Sequence, residues 1–404
     1  MNKSYRKNKY LNRIDYVLLA IVGLLFITSI IAINASAPYL QAHLSANKLI
    51  IQQVIWYVLG LLAIGILFYF GNDTVFHIIK IIYFILLIML ILLLVDRFII
   101  STLFYGRHLP FISDVNGAWA WYNFPGIGSF QPSEFMKIVL IIICAKEISE
   151  HNSSKNTTSF SNDLSLFKKI AKWCLLPIIL IFLQPDTGIV IIIAISIIFM
   201  LIAGGIKKEW IILGGLIALI GVIIFFTIFF LFPDVLGGAS NGGYRLSRFY
   251  GWIYPEEYIE YGRQLYTALL NLGTAGWFGV GSNVGTTILE AQTDFIFAVF
   301  GRTYGFIGAL WIIGLCIALD TRLYQIYQQA NKSIDKYMIA GVLAILFFQQ
   351  IQNIGMIIGL LPITGITLPF ISYGGSSILS YLVMLGIILN ISSTRSNSSK
   401  YEAK

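Results

Sequence analysis

The sequence predicts an all-α polytopic membrane protein, with about ten transmembrane helices and a long extracellular loop between the seventh and eighth. Hydrophobic residues make up 57% of its 404 residues and charged ones only 11%, against roughly 25% charged in soluble domains. Mean hydropathy is +0.81. Apolar runs recur at lengths close to the roughly 20 residues that span a bilayer as helix.

The first run, 16–34, follows the basic tail MNKSYRKNKYLNR, and residues 1–15 read as a cytoplasmic tail. Ala35-Ser36-Ala37 imitates a signal-peptide cleavage site, but the run before it exceeds the 7–15 residues of such a peptide, so an uncleaved helix is expected. Runs at 50–70 and 75–95 follow, then an aromatic extracellular loop at 96–131. The fourth run, 132–148, opens on QPSEFMK, and the polar linker HNSSKNTTSFSND separates it from runs at 169–184 and 187–204. QPDTG divides those two with a Pro, an Asp and a Gly, which turn chemistry alone explains. After the seventh run, 210–232, residues 233–295 carry aromatics, several Gly and a patterned stretch, Arg263 to Leu272. Short helices at the outer interface are expected there, because Trp and Tyr favour the headgroup level and aromatic content argues against disorder. Runs at 296–319, 336–360 and 370–392 precede a short tail, 393–404, and the whole reads as a single membrane domain over 1–404.

Most of the 27 Lys and Arg residues fall in the two tails and in the loops after runs four, six and eight. The positive-inside rule then puts both termini in the cytoplasm. The formal charge of +8 is mainly this bias, which also suits anionic lipid headgroups, and it is no sign of nucleic acid. Three Cys within apolar runs and four scattered His give neither a disulfide framework nor a zinc site.

Ionisable residues at membrane depth cost about 2.5–3.5 kcal/mol at a helix centre, so those retained there are candidates for function. In EAQTDFIFAVFGRTYGFIG, helical spacing puts Asp294, Ala298, Gly301, Gly305 and Gly308 on one side. Small-residue stripes mark close helix contacts, so Asp294 is expected to face the protein interior or an outward-opening cavity. A carboxylate favoured by the helix macrodipole is the plainer reading. Glu134 and Lys137 in QPSEFMK pair at i, i+3, which capping and pairing also explain, although Lys137 lies inside the apolar run. From Gln352 to Ser377, Pro362, Gly365, Pro369, Gly374 and Gly375 break helix at or near membrane depth, tolerated only where protein or water covers the freed backbone.

In order along the chain, GAWAW, QPSEFMK, QPDTG, TDFIFAV and LPITGITLPFISYGGSS resemble the SEDS family (shape, elongation, division and sporulation), to which RodA, FtsW and SpoVE-like proteins belong. The likeness covers essentially the whole chain, and the short tails favour the RodA branch. It implies a multi-pass protein of the bacterial cytoplasmic membrane that polymerises lipid II into β-1,4 glycan strands at the outer face. The partners implied are lipid II, the nascent strand, a class B penicillin-binding protein and other elongation or division proteins. The family's essential Asp is here Asp294, a general base for one inverting displacement. Arg248 and Lys137, the latter oriented by Glu134, match family cations suited to a departing pyrophosphate. Trp121, Gln131, Ser372 and Gly374 complete the expected substrate contacts. A divalent cation, Mg or Mn, is the alternative source of positive charge, while Arg107, Arg245 and Arg263 read first as solvated surface.

Four departures accompany the resemblance. Gln292 stands where His is usual, Arg302 and Thr303 replace a Glu pair, and GAWAW has Ala120 for a common Arg. Gaining Arg302 predicts a lowered Asp294 pKa and hence a weaker base. Two other functions remain open at this level, a lipid II flippase and a catalytically weakened scaffold. Translocation without polymerisation marks the first, and growth supported by Asp294→Ala marks the second.

Overall fold

The computed structural model describes residues 14–41, 44–103, 108–112, 119–124, 128–154, 159–232, 243–281 and 285–395. Arg107, with Gly117 and Ala118 of GAWAW, lies outside them. Ten long helices match the ten apolar runs. They are α1 Tyr16–Ala35, α2 Ala46–Phe70, α3 Asn72–Val95, α4 Pro132–Ser153, α5 Phe160–Leu183, α6 Thr187–Ala203, α7 Lys208–Leu231, α10 Ile296–Gln329, α11 Ser333–Ile357 and α12 Gly375–Arg395. Two shorter helices, α8 Gly243–Ile253 and α9 Ile259–Gly273, occupy the long seventh loop, as its aromatic patterning predicts.

Seven of the ten are long and apolar enough to cross a membrane on their own. The others depart for physical reasons. α6 has 17 residues, α5 carries Lys168, Lys169 and Lys172, and α4 is the bundle's central post, buried along most of its length. A helix sheathed in protein need not be as apolar as one facing lipid. Asp15 receives Arg322 Nη2 at 2.8 Å and Ser392 Oγ at 3.3 Å, so the start of α1 and the end of α12 share one end of the bundle. α7 stands apart, with Phe229 its only buried residue. It meets the rest near both ends, through Trp210 against Phe160 and Phe167 of α5 and through a cluster of Phe229 with Leu246 and Tyr250 of α8.

The third loop holds what the sequence reading missed. An antiparallel ribbon pairs β1 Tyr122–Phe124 with β2 Gly128–Phe130 in the register Tyr122↔Phe130, delivering the chain to Pro132 at the start of α4.

α10 corrects a second expectation. Its helix starts at Ile296, leaving Asp294 in the turn before it, and it breaks at Gly305, whose φ of 71° and ψ of −163° suit glycine alone. The supposed stripe from Asp294 to Gly308 is therefore not one continuous helix face. Backbone groups freed by the break are claimed by 276–281: Val280 N–H donates to Arg302 O (3.1 Å) and Gly281 N–H to Thr303 O (3.2 Å), while Phe306 N–H donates to Gly276 O (3.0 Å) and Ile307 N–H to Trp277 O (3.2 Å). A Cβ on Gly305 would collide with the backbone of Trp277, Phe278 and Gly279. Gly305→Ala should therefore lower the thermal midpoint of the detergent-solubilised protein by an amount equivalent to at least about 2 kcal/mol, whereas Gly314→Ala, with open space around it, should not.

Candidate active site

Between α11 and α12 the chain runs unwound from Ile358 to Gly374, and this ribbon builds the site. Pro362 and Pro369 cannot donate to a helix ladder, and Gly359 and Gly365 take positive φ, so residues 358–374 do not continue the helix. Several of the ribbon's carbonyls find donors on neighbouring helices. Tyr57 Oη donates to Phe370 O (2.5 Å), Ser29 Oγ to Ile371 O (2.8 Å) and Gln53 Nε2 to Ser372 O (3.1 Å). Gln352 Nε2 donates to Pro362 O (2.9 Å) and Trp252 Nε1 to Gly359 O (2.9 Å).

The ribbon also fixes residues 292–294. Tyr373 N–H donates to Gln292 O at 2.9 Å, Ser372 Oγ donates to Thr293 O at 2.7 Å, and Asn353 Nδ2 donates to Asp294 O at 2.8 Å. The Asp294 carboxylate then projects beside Gly365, where a Cβ would lie 3.3 Å from Asp294 Oδ2 and 4.0 Å from Arg248 Nη1. Thus Asp294 and Arg248, far apart in sequence, meet at one glycine. Arg248 also approaches Ile363 O at 3.4 Å. Glu290, itself at φ 51°, is a second acid, accepting from Thr293 Oγ1 at 3.1 Å and Gln292 Nε2 at 3.4 Å.

Burial pushes the Asp294 carboxyl up to about 7, Glu290 adds to the rise and Arg248 opposes it. The lowered pKa expected from Arg302 is therefore corrected. Arg302 Nη1 donates to Thr274 Oγ1 at 2.9 Å, and its guanidinium packs at Gly285. Charge counted along a helix says nothing of the direction in which a long side chain points.

The expected substrate contacts separate into two groups. Glu134 and Lys137 form a pair at 2.7 Å, both buried, with Ser380 Oγ donating to the same Glu134 oxygen at 2.8 Å and the Lys137 ammonium 5.0 Å from the Tyr381 ring. Gln131 Nε2 donates to Asp186 Oδ2 at 2.7 Å, and Gln131 N–H to Ser376 Oγ at 2.9 Å. Asp186, read from sequence as a turn residue, also caps α6 through Ile189 N–H. Burial pushes it up to about 6, with Glu134 adding to the rise and the Ile189 N–H, Ser133 and Lys137 opposing it. This cluster of two acids and one lysine is separate from Asp294, and Arg248 is the cation that meets Asp294 at Gly365. Ser372, which also accepts from Leu368 N–H at 2.9 Å, is an internal brace. The Gly374 carbonyl accepts from Ser377 Oγ at 3.1 Å, and half-buried Trp121 precedes β1. Among the described residues, no group of three or more His, Cys, Asp or Glu could hold a metal ion. Glu290 and Asp294 with a guanidinium beside them do not make such a set.

Residues 11–397 match the family model FTSW_RODA_SPOVE, described as cell cycle protein. The chain belongs to that family. A probable peptidoglycan glycosyltransferase FtsW of Lactococcus lactis is 30% identical over 96% of this chain and 93% of its own length. Stage V sporulation protein E of Bacillus subtilis is 34% identical over 69% of this chain and 72% of its own. Among solved structures, a chain of a peptidoglycan synthase complex that coordinates polymerization and crosslinking aligns with a TM-score of 0.72 at 23% identity, covering 95% of this chain and 99% of that one. RodA of Thermus thermophilus aligns at 0.64 and 24%, covering 95% and 97%. The family member is a polytopic all-helical membrane protein.

Glu290, Asn353 and the donors on α1 and α2 are not singled out by the sequence, which marks Asp186 only as a turn residue of QPDTG. Asn353 left a trace, since it ends QQIQN, a run of amides at membrane depth, where a polar side chain needs an interhelical partner. Removing one member of the sealed pair tests its role. Lys137→Met should destabilise by about 3–5 kcal/mol, read as a lowered thermal midpoint in detergent. Lys137 opposes the rise in the Asp186 pKa, so its removal raises that pKa further and adds a penalty for ionised Asp186, and the deficit should be smaller at about pH 5 than at about pH 8.

Proposed function

We propose that this protein is a peptidoglycan glycosyltransferase that joins lipid II into β-1,4 glycan strands at the outer face of the cytoplasmic membrane, with both termini in the cytoplasm. The observation that carries the reading is the meeting of Asp294 and Arg248 at Gly365, with the carboxyl poised near neutrality and partly accessible. A general base works best with a pKa near the operating pH.

In the proposed step the acceptor 4-hydroxyl oxygen attacks the anomeric carbon of the donor as its proton passes to an Asp294 carboxylate oxygen. The bond from that carbon to the phosphate oxygen breaks, and lipid pyrophosphate leaves with the bonding pair. A single displacement turns an α-linked donor into a β-linked product. Arg248 offsets charge growing on the pyrophosphate, where electrostatic stabilisation is most effective. A divalent cation, Mg or Mn, remains a proposed assistant at the departing pyrophosphate. The glycosyltransferase name of the Lactococcus relative supports the activity, and the complex containing the similar chain supports a class B penicillin-binding protein as partner.

Elongation in the manner of RodA is the role we propose. A septal or sporulation role is the second reading, favoured by relatives named FtsW and Stage V sporulation protein E. Localisation to the side wall or to the septum separates them.

Purified protein supplied with labelled lipid II and its partner should make glycan strands. Asp294→Asn should lower the rate about 10²–10⁴-fold, and an equally active variant would sink the assignment. The wild-type rate should rise with pH through about 7 as Asp294 loses its proton and then level off. Arg248→Gln removes the influence that lowers that pKa, so its rise should come at higher pH.

A further inference from the structure

We infer that Asn353 is a positioning residue for Asp294: one buried carboxamide ties the backbone of the reactive turn to the unwound ribbon and thereby sets where the carboxylate stands. The inference rests on the reading of Asp294 as general base.

Asn353 is fully buried, and its Nδ2 makes two short hydrogen bonds, to Asp294 O at 2.8 Å and to Ile366 O at 2.7 Å. Two carbonyl acceptors fix which end of the amide faces them, because the flipped amide would set oxygen against oxygen. The acceptors belong to separate parts of the chain. Asp294 precedes α10, Ile366 lies in the ribbon, and α11 supplies the amide from between them. Ser372 makes a parallel tie one residue away, donating to Thr293 O at 2.7 Å and accepting from Leu368 N–H at 2.9 Å. Two side chains therefore hold 293–294 in register with 366–368, and Gly365, the residue at which Asp294 meets Arg248, immediately precedes that stretch.

A tie to the Asp294 carbonyl leaves both carboxylate oxygens free of Asn353, as a base requires. Short-range fixation matters because displacement of a reacting group by about 1 Å can cost on the order of a hundredfold in rate. Other bonds close the turn, Tyr373 N–H to Gln292 O at 2.9 Å and Thr293 and Phe295 N–H to Glu290 O at 3.1 and 3.2 Å, and Asn353 is the side chain that takes the Asp294 carbonyl itself.

The test uses the full-length protein with its transpeptidase partner and labelled lipid II, comparing wild type, Asp294→Asn, Asn353→Ala, Asn353→Ser and Ser372→Ala. Steady-state rates are measured across pH. Asn353→Ala should lower kcat about ten- to a hundredfold with KM within about twofold, because the tie touches no substrate. Its acid limb should also move to lower pH, since a loosened Asp294 gains water and loses the burial that raises it, while Glu290 and Arg248 still face it. Asn353→Ser, which keeps one donor, should fall between Ala and wild type. A merely structural loss would reduce the active fraction, lowering apparent kcat at unchanged KM but leaving the acid limb where wild type has it, and an unmoved acid limb overturns the inference. If Asn353→Ala does not fold, Ser372→Ala, which deletes only a hydroxyl, must show the same signature, and a wild-type profile for it then overturns the inference. Full activity in Asp294→Asn defeats the reading of the base itself, whereas an inactive Asp294→Asn beside a wild-type-like Asn353→Ala defeats the positioning role alone.

Discussion

Everything in the active region depends on one constraint: seventeen residues of non-helical backbone, Ile358 to Gly374, run at membrane depth and must still satisfy their polar groups. Leaving a buried carbonyl without a donor costs about 1–3 kcal/mol, roughly twice what one hydrogen bond contributes net in a folded protein. The donors come from α1 (Ser29), α2 (Gln53 and Tyr57), α8 (Trp252) and α11 (Gln352 and Asn353). These polar side chains on otherwise apolar helices thereby act as interhelical ties, since lipid offers them nothing better. Because Asn353 and Ser372 continue from the ribbon to residues 293–294, satisfying the unwound segment and placing Asp294 are the same set of bonds.

The two polar clusters differ in pairing. Glu134 and Lys137 are in direct contact, with the Lys137 side chain at 0% exposure, and with Asp186, which binds Gln131 at the head of α4 and caps α6, they brace α4, α6 and α12. Asp294, half-buried, lies within the influence of both Arg248 and Glu290, an arrangement that suits the base role proposed for it.

Much of this was legible because lipid imposes a strong selection on sequence. Hydropathy found ten helices, and aromatic patterning in 233–295 anticipated α8 and α9. Motif resemblance found Asp294 and Arg248 without revealing that a glycine brings them together. What failed was local and directional. Continuous helical spacing was carried through Gly305, which breaks the helix, and back to Asp294, which precedes it. Arg302 was assigned to Asp294 by proximity in sequence, although it points to Thr274. The β1–β2 ribbon rests on only three residue pairs, too short for alternation to register. Asn353 was visible only as one amide in a polar run, since a tie to backbone is a fact of tertiary structure.

Asp294 and Arg248 also sit on differently anchored elements. Asp294 is tied to the bundle interior through α11 and the ribbon, whereas Arg248 rides on α8, an amphipathic helix outside the main core. Two contacts seat α8. Gly251 and Gly262 lie where α8 and α9 approach so closely that a Cβ on either would strike backbone of the other segment, and Trp252 Nε1 donates to Gly359 O at 2.9 Å. On its far side α8 packs through Leu246 and Tyr250 on Phe229, the one buried residue of α7. Arg248 therefore takes its position from the α8–α9 crossing and the start of the ribbon, and Asp294 from the ribbon's middle. The ribbon is the single element common to both, which is why the geometry of the pair is set by the segment that is least regular in secondary structure and most heavily hydrogen-bonded to its neighbours.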